Sequence, residues 1–437
     1  MLNRRDFIGS IMLPAAALAA GLPARAGAAS LSRPLPSGLA DYPGTAEEVA
    51  QDENFWFEVQ QSFTVDRSIM NLNNGGVCPA PAVVQNAMKR HLDFSNTAPA
   101  YVLWRVLEPQ KESVRSALAM QWGVSPEEVA ITRNASESLQ ICQLGIDLQR
   151  GDEVLTTTQD YGRMLTTFEQ RARREGIVLK KVTIPIPCED PALIVRTIAG
   201  AMTDKTRIIL ISHIINITGQ VMPAREVVEM ARARGVPVII DGAHALAQIE
   251  FKISDLNCDY YGVSLHKWLF APHGTGLLYV RRDKVRGLWP MMAAAETLDN
   301  DIRKFEEIGT HPAANFLAIA EALTFHQGIG GARKEARLRF LRNTWAERLI
   351  DAGKGRVRLH TSLDPKFSCA IGTVQVNGID SLDLANHLWD KHKILTVAIK
   401  HEEFEGVRVT PCVYTTMQEL DRFCGVMEGV IRDGIPV

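Results

Sequence analysis

An aspartate and a lysine each follow a hydrophobic strand near the middle of this 437-residue chain. Asp241 closes the apolar run 236–240, which is typical of a strand buried on both faces of a sheet. Lys267 comes shortly after a second predicted strand that ends near Ser264. Neighbouring strands that end in an anion and an amine predict that the two groups lie at one edge of a sheet.

This pair of charges suits a pyridoxal phosphate (PLP) site. A lysine can hold the cofactor aldehyde as a Schiff base, and an aspartate can keep the pyridine nitrogen protonated, which makes the ring a better electron sink. Taken singly, Asp241 could instead cap a turn and Lys267 could lie on the surface, as most charged residues do. The interpretation therefore depends on further residues that meet other needs of the same cofactor.

The segment after the strand at 128–132 meets the need for a phosphate site. Asn134 and Glu137 have the N-cap to N3 spacing of a capping box, so a helix is predicted to begin there with unpaired backbone N–H groups. Ala135 lies in the first turn, and Ser136 adds a hydroxyl. The start of this helix is therefore predicted to bind an anion.

Seven short motifs occur in an order that resembles the class V aminotransferases of fold type I, and their isopenicillin N epimerase-like subgroup in particular. They are TRNASES, DYGRM, SHIINITGQVMP, DGAH, SLHK, EEIGT and VRVTP. The resemblance covers residues 71 to about 432. It implies a mostly parallel seven-stranded sheet sandwiched by helices, a smaller C-terminal α/β domain, PLP as cofactor, and a homodimer.

The resemblance also implies roles for individual residues. Tyr161 would stack on the pyridine ring, where cysteine desulfurases usually have histidine. Asn216 and His244 would hydrogen-bond the phenolic oxygen of the cofactor. The phosphate would be held by Ala135, Ser136, Ser264 and His266, while Thr310 would reach the phosphate of the neighbouring subunit.

Two residues are assigned to the substrate in the same way. Arg408 would pair with its α-carboxylate, because a planar fork of N–H donors matches a carboxylate, and Asn74 would contribute to the same site. Ordinary roles compete with these assignments: Arg408 could be a surface residue, Thr310 a loop hydroxyl, and His266 a brace for Lys267. No metal site is predicted.

The N-terminus carries a twin-arginine pattern in the sequence NRRDFI at residues 3–8. An apolar stretch at 11–22 and a small-residue cleavage site at 24–26 follow. The apolar stretch is too short and too rich in alanine to span a bilayer comfortably, so it predicts a removable signal rather than a membrane anchor. We expect the Tat translocon to export the folded, cofactor-loaded protein to the periplasm.

The composition is that of a soluble enzyme. The chain is 46% hydrophobic and 22% charged with a net charge of −2, which gives no basic excess for nucleic acid or an anionic membrane. Its seven cysteines are odd in number, scattered, and without CxxC spacing, although an exported chain could form disulfides. Several lie in apolar patterns and are predicted to be buried thiols.

Strand and helix patterns alternate along most of the chain, which predicts an α/β fold. Strands are expected near 128–132, 153–157, 177–185, 206–212, 236–240, 259–264 and 276–281, with helices between them such as 161–175 and 223–234. Helices at 313–327, 332–352 and 416–431 and strands at 370–376, 394–399 and 406–410 would complete the fold. The predicted divisions are a signal peptide at 1–29, an N-terminal arm at 30–70, a large PLP-binding domain at 71–312, and a small C-terminal domain at 313–437.

A missing cysteine narrows the range of possible reactions. Cysteine desulfurases need a nucleophilic cysteine on a loop upstream of the carboxylate-binding arginine, and residues 394–411 contain none; Cys412 would continue the strand. This favours an aminotransferase, with epimerisation or C–S/β-elimination as alternatives. A noncatalytic ligand-binding protein is disfavoured by the intact Asp241 and Lys267, and a Rossmann oxidoreductase by the lack of GxGxxG after a strand.

The predicted export narrows the class of substrate. Free amino acids are scarce outside the cytoplasm, whereas amino groups on secreted peptides and secondary metabolites are not. The chain resembles exported siderophore-tailoring enzymes of this fold in its architecture and signal. The expected substrate is therefore an amino acid or an amino group of a peptide-like metabolite, for which a siderophore precursor is one candidate.

Overall fold

The computed structural model describes residues 39–436, so the predicted signal peptide at 1–29 lies outside the described residues. Its strands are β1 (Met70–Asn71), β2 (Val129–Thr132), β3 (Glu153–Thr157), β4 (Val178–Val182), β5 (Thr206–Ser212), β6 (Val238–Asp241), β7 (Tyr260–Ser264), β8 (Gly276–Val280), β9 (Val357–Leu359), β10 (Gly372–Val376), β11 (Ile394–Leu395), β12 (Val397–Lys400) and β13 (Glu405–Val409). Its α-helices span Ala46–Gln51, Glu53–Gln60, Ala82–Ser95, Pro99–Tyr101, Lys111–Gln121, Ala135–Gly145, Gly162–Glu175, Pro191–Ala201, Ala224–Arg232, Ile253–Leu256, Ala313–Leu317, Ile319–Ile329, Gly331–Gly353, Ser381–His392 and Met417–Asp433.

Seven strands form the central sheet in the order β2-β8-β7-β6-β5-β3-β4. The neighbours from β7 to β4 pair in parallel, whereas β8 is antiparallel to both β7 and β2. Asp241 lies opposite Ser212 of β5 on one side and Gly262 of β7 on the other. The carboxyl ends of these three strands therefore lie at one edge of the sheet, and the predicted mostly parallel α/β fold is confirmed.

Alternate residues of the central strands enter different hydrophobic clusters. Along β5, Ile209 and Ile211 belong to one cluster while Ile208 and Leu210 belong to another. Strands β5 to β8 are buried almost throughout, since helices cover both faces of the sheet. This explains why the sequence of these strands is a continuous apolar run rather than an alternating one.

A second sheet is antiparallel and has the order β12-β13-β10-β9. The helices Gly331–Gly353 and Met417–Asp433 pack against each other beside it and share a third hydrophobic cluster with it. The predicted strand at 394–399 is two short strands, because β11 pairs with β1 while β12 pairs with β13. The boundary proposed at 312/313 coincides with Pro312, the N-cap of the helix Ala313–Leu317, and the division into two domains stays a prediction.

Two helices lie in the predicted N-terminal arm. They are Ala46–Gln51 and Glu53–Gln60, and the first of them packs on the helix Gly331–Gly353. A capping box between Thr45 and Glu48 starts this helix, and the sequence TAEE is its recognisable signal. Within the described residues, no helix combines the length and apolar character needed to cross a bilayer.

Candidate active site

A cavity of about 180 Å³ opens at the carboxyl ends of β5, β6 and β7. It includes every predicted cofactor residue except Thr310. Its lining residues are Gly76, Asn134, Ala135, Ser136, Leu139, Tyr161, Ser212, Ile214, Asn216, Asp241, Ala243, His244, Ser264, His266 and Lys267. A crevice at this edge is where ligands of parallel α/β sheets bind.

Lys267 and His244 form the polar centre of this cavity. The Lys267 Nζ lies 3.0 Å from the His244 Nε2, and the Trp268 indole N–H contacts the His244 Nδ1 at 3.4 Å. Because an indole only donates, Nδ1 is the acceptor and the imidazole proton belongs on Nε2. Burial holds the pKa of His244 well below its usual value, which keeps this ring neutral. The Nε2–H therefore faces an amine in its neutral form.

The electrostatics of Lys267 agree with that arrangement. Burial lowers the pKa of Lys267 from 10.5 to about 8, with Asp241 opposing the shift and Arg408 adding to it. A lysine with such a pKa is partly unprotonated near neutral pH. This is the state in which the amine can attack an aldehyde or accept a proton.

Asp241 lies deep in the cavity with an unused hydrogen-bonding capacity. Its Oδ1 accepts the Ala243 N–H at 2.9 Å, and no described residue donates to its Oδ2 or forms an ion pair with it. Burial raises the pKa of Asp241 to about 6. The protonated nitrogen of a pyridine ring would supply both the missing donor and the missing positive charge.

The start of the helix Ala135–Gly145 forms one wall. Asn134 caps the helix by accepting the Glu137 N–H at 2.9 Å, and the Ser264 Oγ accepts the Ala135 N–H at 2.9 Å. No described residue accepts from the Ser136 N–H, so this donor at a positive helix end is available to an anion.

Only half of a capping box forms at the start of this helix. The Glu137 carboxylate accepts the Arg133 backbone N–H at 2.6 Å and the Arg133 guanidinium, rather than the backbone N–H of Asn134. The spacing therefore gives the N-cap bond but not the reciprocal bond of a capping box, because an adjacent arginine offers the carboxylate a charged partner. The helix nevertheless begins where predicted.

Arg408 lies on β13, beside the cavity, and is held by two residues of distant segments. Its Nη1 donates to the Asn216 backbone oxygen and its Nη2 to the Asn73 Oδ1, both at 2.9 Å. Its Nε has no partner, and no described carboxylate pairs with it. Burial lowers the pKa of Arg408 to about 10. A buried cation without a counter-ion is suited to receive a substrate carboxylate.

Comparison with known proteins identifies this arrangement. The family described as aminotransferase class V matches residues 70–423. The chain belongs to the class V aminotransferase family. Its cofactor is pyridoxal 5′-phosphate, and the donor left free at Ser136 and the acceptor left free at Asp241 fit that group.

Relatives of the enzyme share most of its length. It is 29% identical to the isopenicillin N epimerase of Streptomyces clavuligerus over 395 residues, which cover 86% of this chain and 98% of the relative. Among solved structures, the cysteine desulfurase of Thermococcus onnurineus has a TM-score of 0.76 at 22% identity and covers 86% of this chain and 98% of its own. A variant of the C–S lyase C-DES, with glycine covalently linked to its PLP, has a TM-score of 0.75 at 20% identity and covers 84% and 98%. These structures show the shared fold.

Three of the residues assigned to the cofactor lie at the rim of the cavity or outside it. Tyr161 is the N-cap of the helix Gly162–Glu175, lines the cavity and is 38% exposed, while its stacking on the cofactor stays a prediction. His266 also lines the cavity, with its Nδ1 3.2 Å from the Thr275 backbone oxygen. Thr310 is exposed on a loop outside the cavity, so its role at a partner's phosphate remains a prediction too.

The assignment of Asn74 to the substrate stays a prediction, and in this structure the polar atoms of Asn74 bond within the protein. This side chain is fully buried, accepts from the Tyr414 hydroxyl at 2.6 Å, and donates to the backbone oxygens of Asn71 and Thr410. Its polar atoms therefore join two segments of the fold. The neighbouring Asn73 is the asparagine whose side chain contacts Arg408, and the sequence NLNN at 71–74 gives no signal of which asparagine does so.

The cysteines agree with the sequence analysis. All seven are buried free thiols, which confirms the prediction that several of them are buried thiols. The turn between β12 and β13, residues 401–404, carries none, and the Glu403 carboxylate anchors it to Gln159 at 3.0 Å. The position at which desulfurases are expected to carry their nucleophile is thus occupied by a short anchored turn.

Proposed function

We propose that this class V enzyme removes the α-proton of an amino acid, or of an amino-acid unit in a peptide-like metabolite, and transfers the amino group to an acceptor. One observation carries the proposal: two buried groups of lowered pKa lie near each other. Lys267 is the first, and Arg408, which lacks a counter-ion, is the second. One group suits the amine end of an amino acid and the other suits its carboxylate.

Each residue of the site has a distinct task in this proposal. PLP, when bound, supplies the electron sink that stabilises negative charge at Cα. Asp241 would hold the ring nitrogen of the cofactor, and Arg408 would orient the substrate through its carboxylate. Lys267 would hold the cofactor through its Nζ, and the same nitrogen, when free and unprotonated, would accept the α-proton of the substrate. The His244 Nε2–H keeps that nitrogen positioned.

Epimerisation is the second candidate. The isopenicillin N epimerase relative matches over nearly its whole length and favours it. Inversion requires a group that returns the proton from a second direction, and the phenol of Tyr161 at the rim of the cavity has the chemistry to do so. C–S or β-elimination begins with the same loss of the α-proton.

One experiment separates these reactions. The holoenzyme is incubated in D₂O with a panel of ¹⁵N-labelled amino acids and peptide-like amines, in the presence of 2-keto acids. Amino transfer moves ¹⁵N to the keto acid, epimerisation gives the inverted, Cα-deuterated substrate, and elimination releases free ammonia. Cofactor-bound enzyme that exchanges no α-proton with any amine would overturn the proposal and leave a ligand-binding protein.

We further propose that the enzyme works in the periplasm as a homodimer after export through the Tat translocon. Support comes from the NRRDFI sequence and the apolar stretch behind it. In that compartment, the proposed substrates are amino groups on secreted peptide-like metabolites, siderophore precursors among them. Thr310 would then contribute to the phosphate site of the partner subunit, and Thr310→Ala should weaken PLP binding only where the dimer forms.

A further inference from the structure

Strands β3 and β5 separate before they reach the active site. Their pairing ends at Leu155 and Ile209, although β3 continues beside β4 and β5 continues beside β6. The backbone N–H groups of Thr157 and Ser212 thus face a gap in the sheet. Unpaired buried N–H groups are costly, so another acceptor has to fill this gap.

The carboxylate of Asp160 is that acceptor. Its Oδ1 accepts the Ser212 N–H at 2.6 Å, and its Oδ2 accepts the Thr157 N–H at 2.9 Å. The hydroxyls of Thr156 and Thr157 also donate to Oδ2, at 2.8 and 2.9 Å. The two backbone N–H groups can only donate and therefore favour the ionised form, whereas burial, the largest influence, raises the pKa of Asp160.

The next residue in the chain is Tyr161. It lines the cavity and begins the helix Gly162–Glu175, whose Met164 N–H bonds to the Tyr161 backbone oxygen at 2.8 Å. The start of the helix therefore fixes Tyr161 on its C-terminal side. The hydrogen-bonded carboxylate of Asp160, here called the Asp160 anchor, fixes it on its N-terminal side. Ser212, the residue to which the anchor is tied, lines the same cavity.

We propose that Asp160 is a positioning residue, which holds Tyr161 against the PLP ring by joining the separated ends of β3 and β5. Asp160 itself does not touch the cavity, and its effect on the cofactor passes through the aromatic ring of Tyr161. An aromatic ring contributes to binding only when it is held at stacking distance, so loosening the anchor should weaken cofactor binding.

The test is a double-mutant cycle on PLP binding to the apoenzyme. Asp160→Asn keeps the shape but replaces one acceptor by an N–H group, which faces a donor. Asp160→Asn and Tyr161→Ala are each expected to raise the Kd of PLP by about ten- to hundredfold, and the visible circular dichroism of the bound cofactor should fall in both. The double variant should bind no more weakly than Tyr161→Ala alone, within about twofold.

Controls keep the outcome decisive. Asp204→Asn, at an exposed aspartate, should leave the Kd and the dichroism unchanged. If Asp160→Asn does not fold, Thr156→Val serves in its place, because it removes one donor to the same carboxylate. It should raise the Kd of PLP by a smaller factor, and this increase should be absent in the Tyr161→Ala background. A folded Asp160→Asn or Thr156→Val variant with the wild-type Kd and dichroism would overturn the proposal. So would a double variant in which the two effects on the Kd multiply.

Discussion

Lys267 and His244 meet beyond the carboxyl ends of the adjacent strands β7 and β6, with 3.0 Å between the Nζ and the Nε2. The indole of Trp268 sets the tautomer of the imidazole, so that the ring presents a donor to the amine. A protonated lysine cannot accept from that donor. The pair therefore favours a neutral Lys267, in the same direction as burial.

The loading of PLP onto Lys267 should depend on pH in a specific way. Burial lowers the pKa of Lys267 to about 8, and only the unprotonated amine attacks an aldehyde. The rate at which the apoenzyme takes up PLP should therefore rise with pH, and the midpoint of this rise should lie near pH 8. Stopped-flow absorbance measures it, and borohydride reduction with peptide mapping identifies the labelled lysine. A midpoint near the ordinary lysine value of 10.5, or a label on another lysine, would contradict this.

Asp241→Asn should retain the cofactor and lose most of the activity. A neutral amide still hydrogen-bonds a pyridine nitrogen but no longer favours its protonated form. We expect kcat to fall about a hundredfold or more, while absorbance shows PLP still bound. Asp204→Asn is the matched control at an exposed position. Wild-type turnover in Asp241→Asn would mean that another group holds the ring.

Arg408→Lys should impair the recognition of α-carboxylates. A lysine keeps the charge but cannot donate to the Asn216 oxygen and to Asn73 while presenting a fork to the substrate. Losing a charge-assisted hydrogen bond costs about 1.5 to 3 kcal/mol, or about a ten- to hundredfold fall in kcat/KM. The same substitution at the half-exposed Arg348 should have no effect. Unchanged kcat/KM on every α-amino acid with Arg408→Lys and Arg408→Ala would rule out the assignment.

Export is tested at the N-terminus. Arg4→Lys combined with Arg5→Lys should trap a PLP-loaded precursor in the cytoplasm, because the Tat system reads the arginine pair and carries folded proteins. Cell fractionation with immunoblotting and cofactor absorbance gives the readout, and the single variants serve as intermediate controls. Continued accumulation of the double variant in the periplasm would exclude this route.

Much of the fold could be predicted because its signals are local. The bounds of β3 and β5 match the predicted strands, and the strands β6 to β8 deviate by one or two residues. Their apolar runs end at turns, and burial on both faces makes those runs continuous. The short strand β9 was missed, since its pairing with β10 rather than its own composition makes it a strand.

The cofactor and the family could also be inferred, because Asp241, Lys267 and the capped turn at Asn134 each carry their chemistry in a few adjacent residues. Contacts between distant segments could not. Arg408 and Asn216 are 192 positions apart, and Ala135 and Ser264 are 129 apart, so only the tertiary structure decides that they share hydrogen bonds.

The same distinction explains what the sequence left open at the site. The sequence NLNN at 71–74 cannot show which asparagine reaches Arg408, since a shift of one residue in the backbone path exchanges Asn73 for Asn74. Nor does the sequence show that β3 and β5 diverge and leave two N–H groups for Asp160. Residue type determined the available chemistry of this protein, and the packing of distant segments decided which groups meet, because hydrogen bonds form only at contact distance.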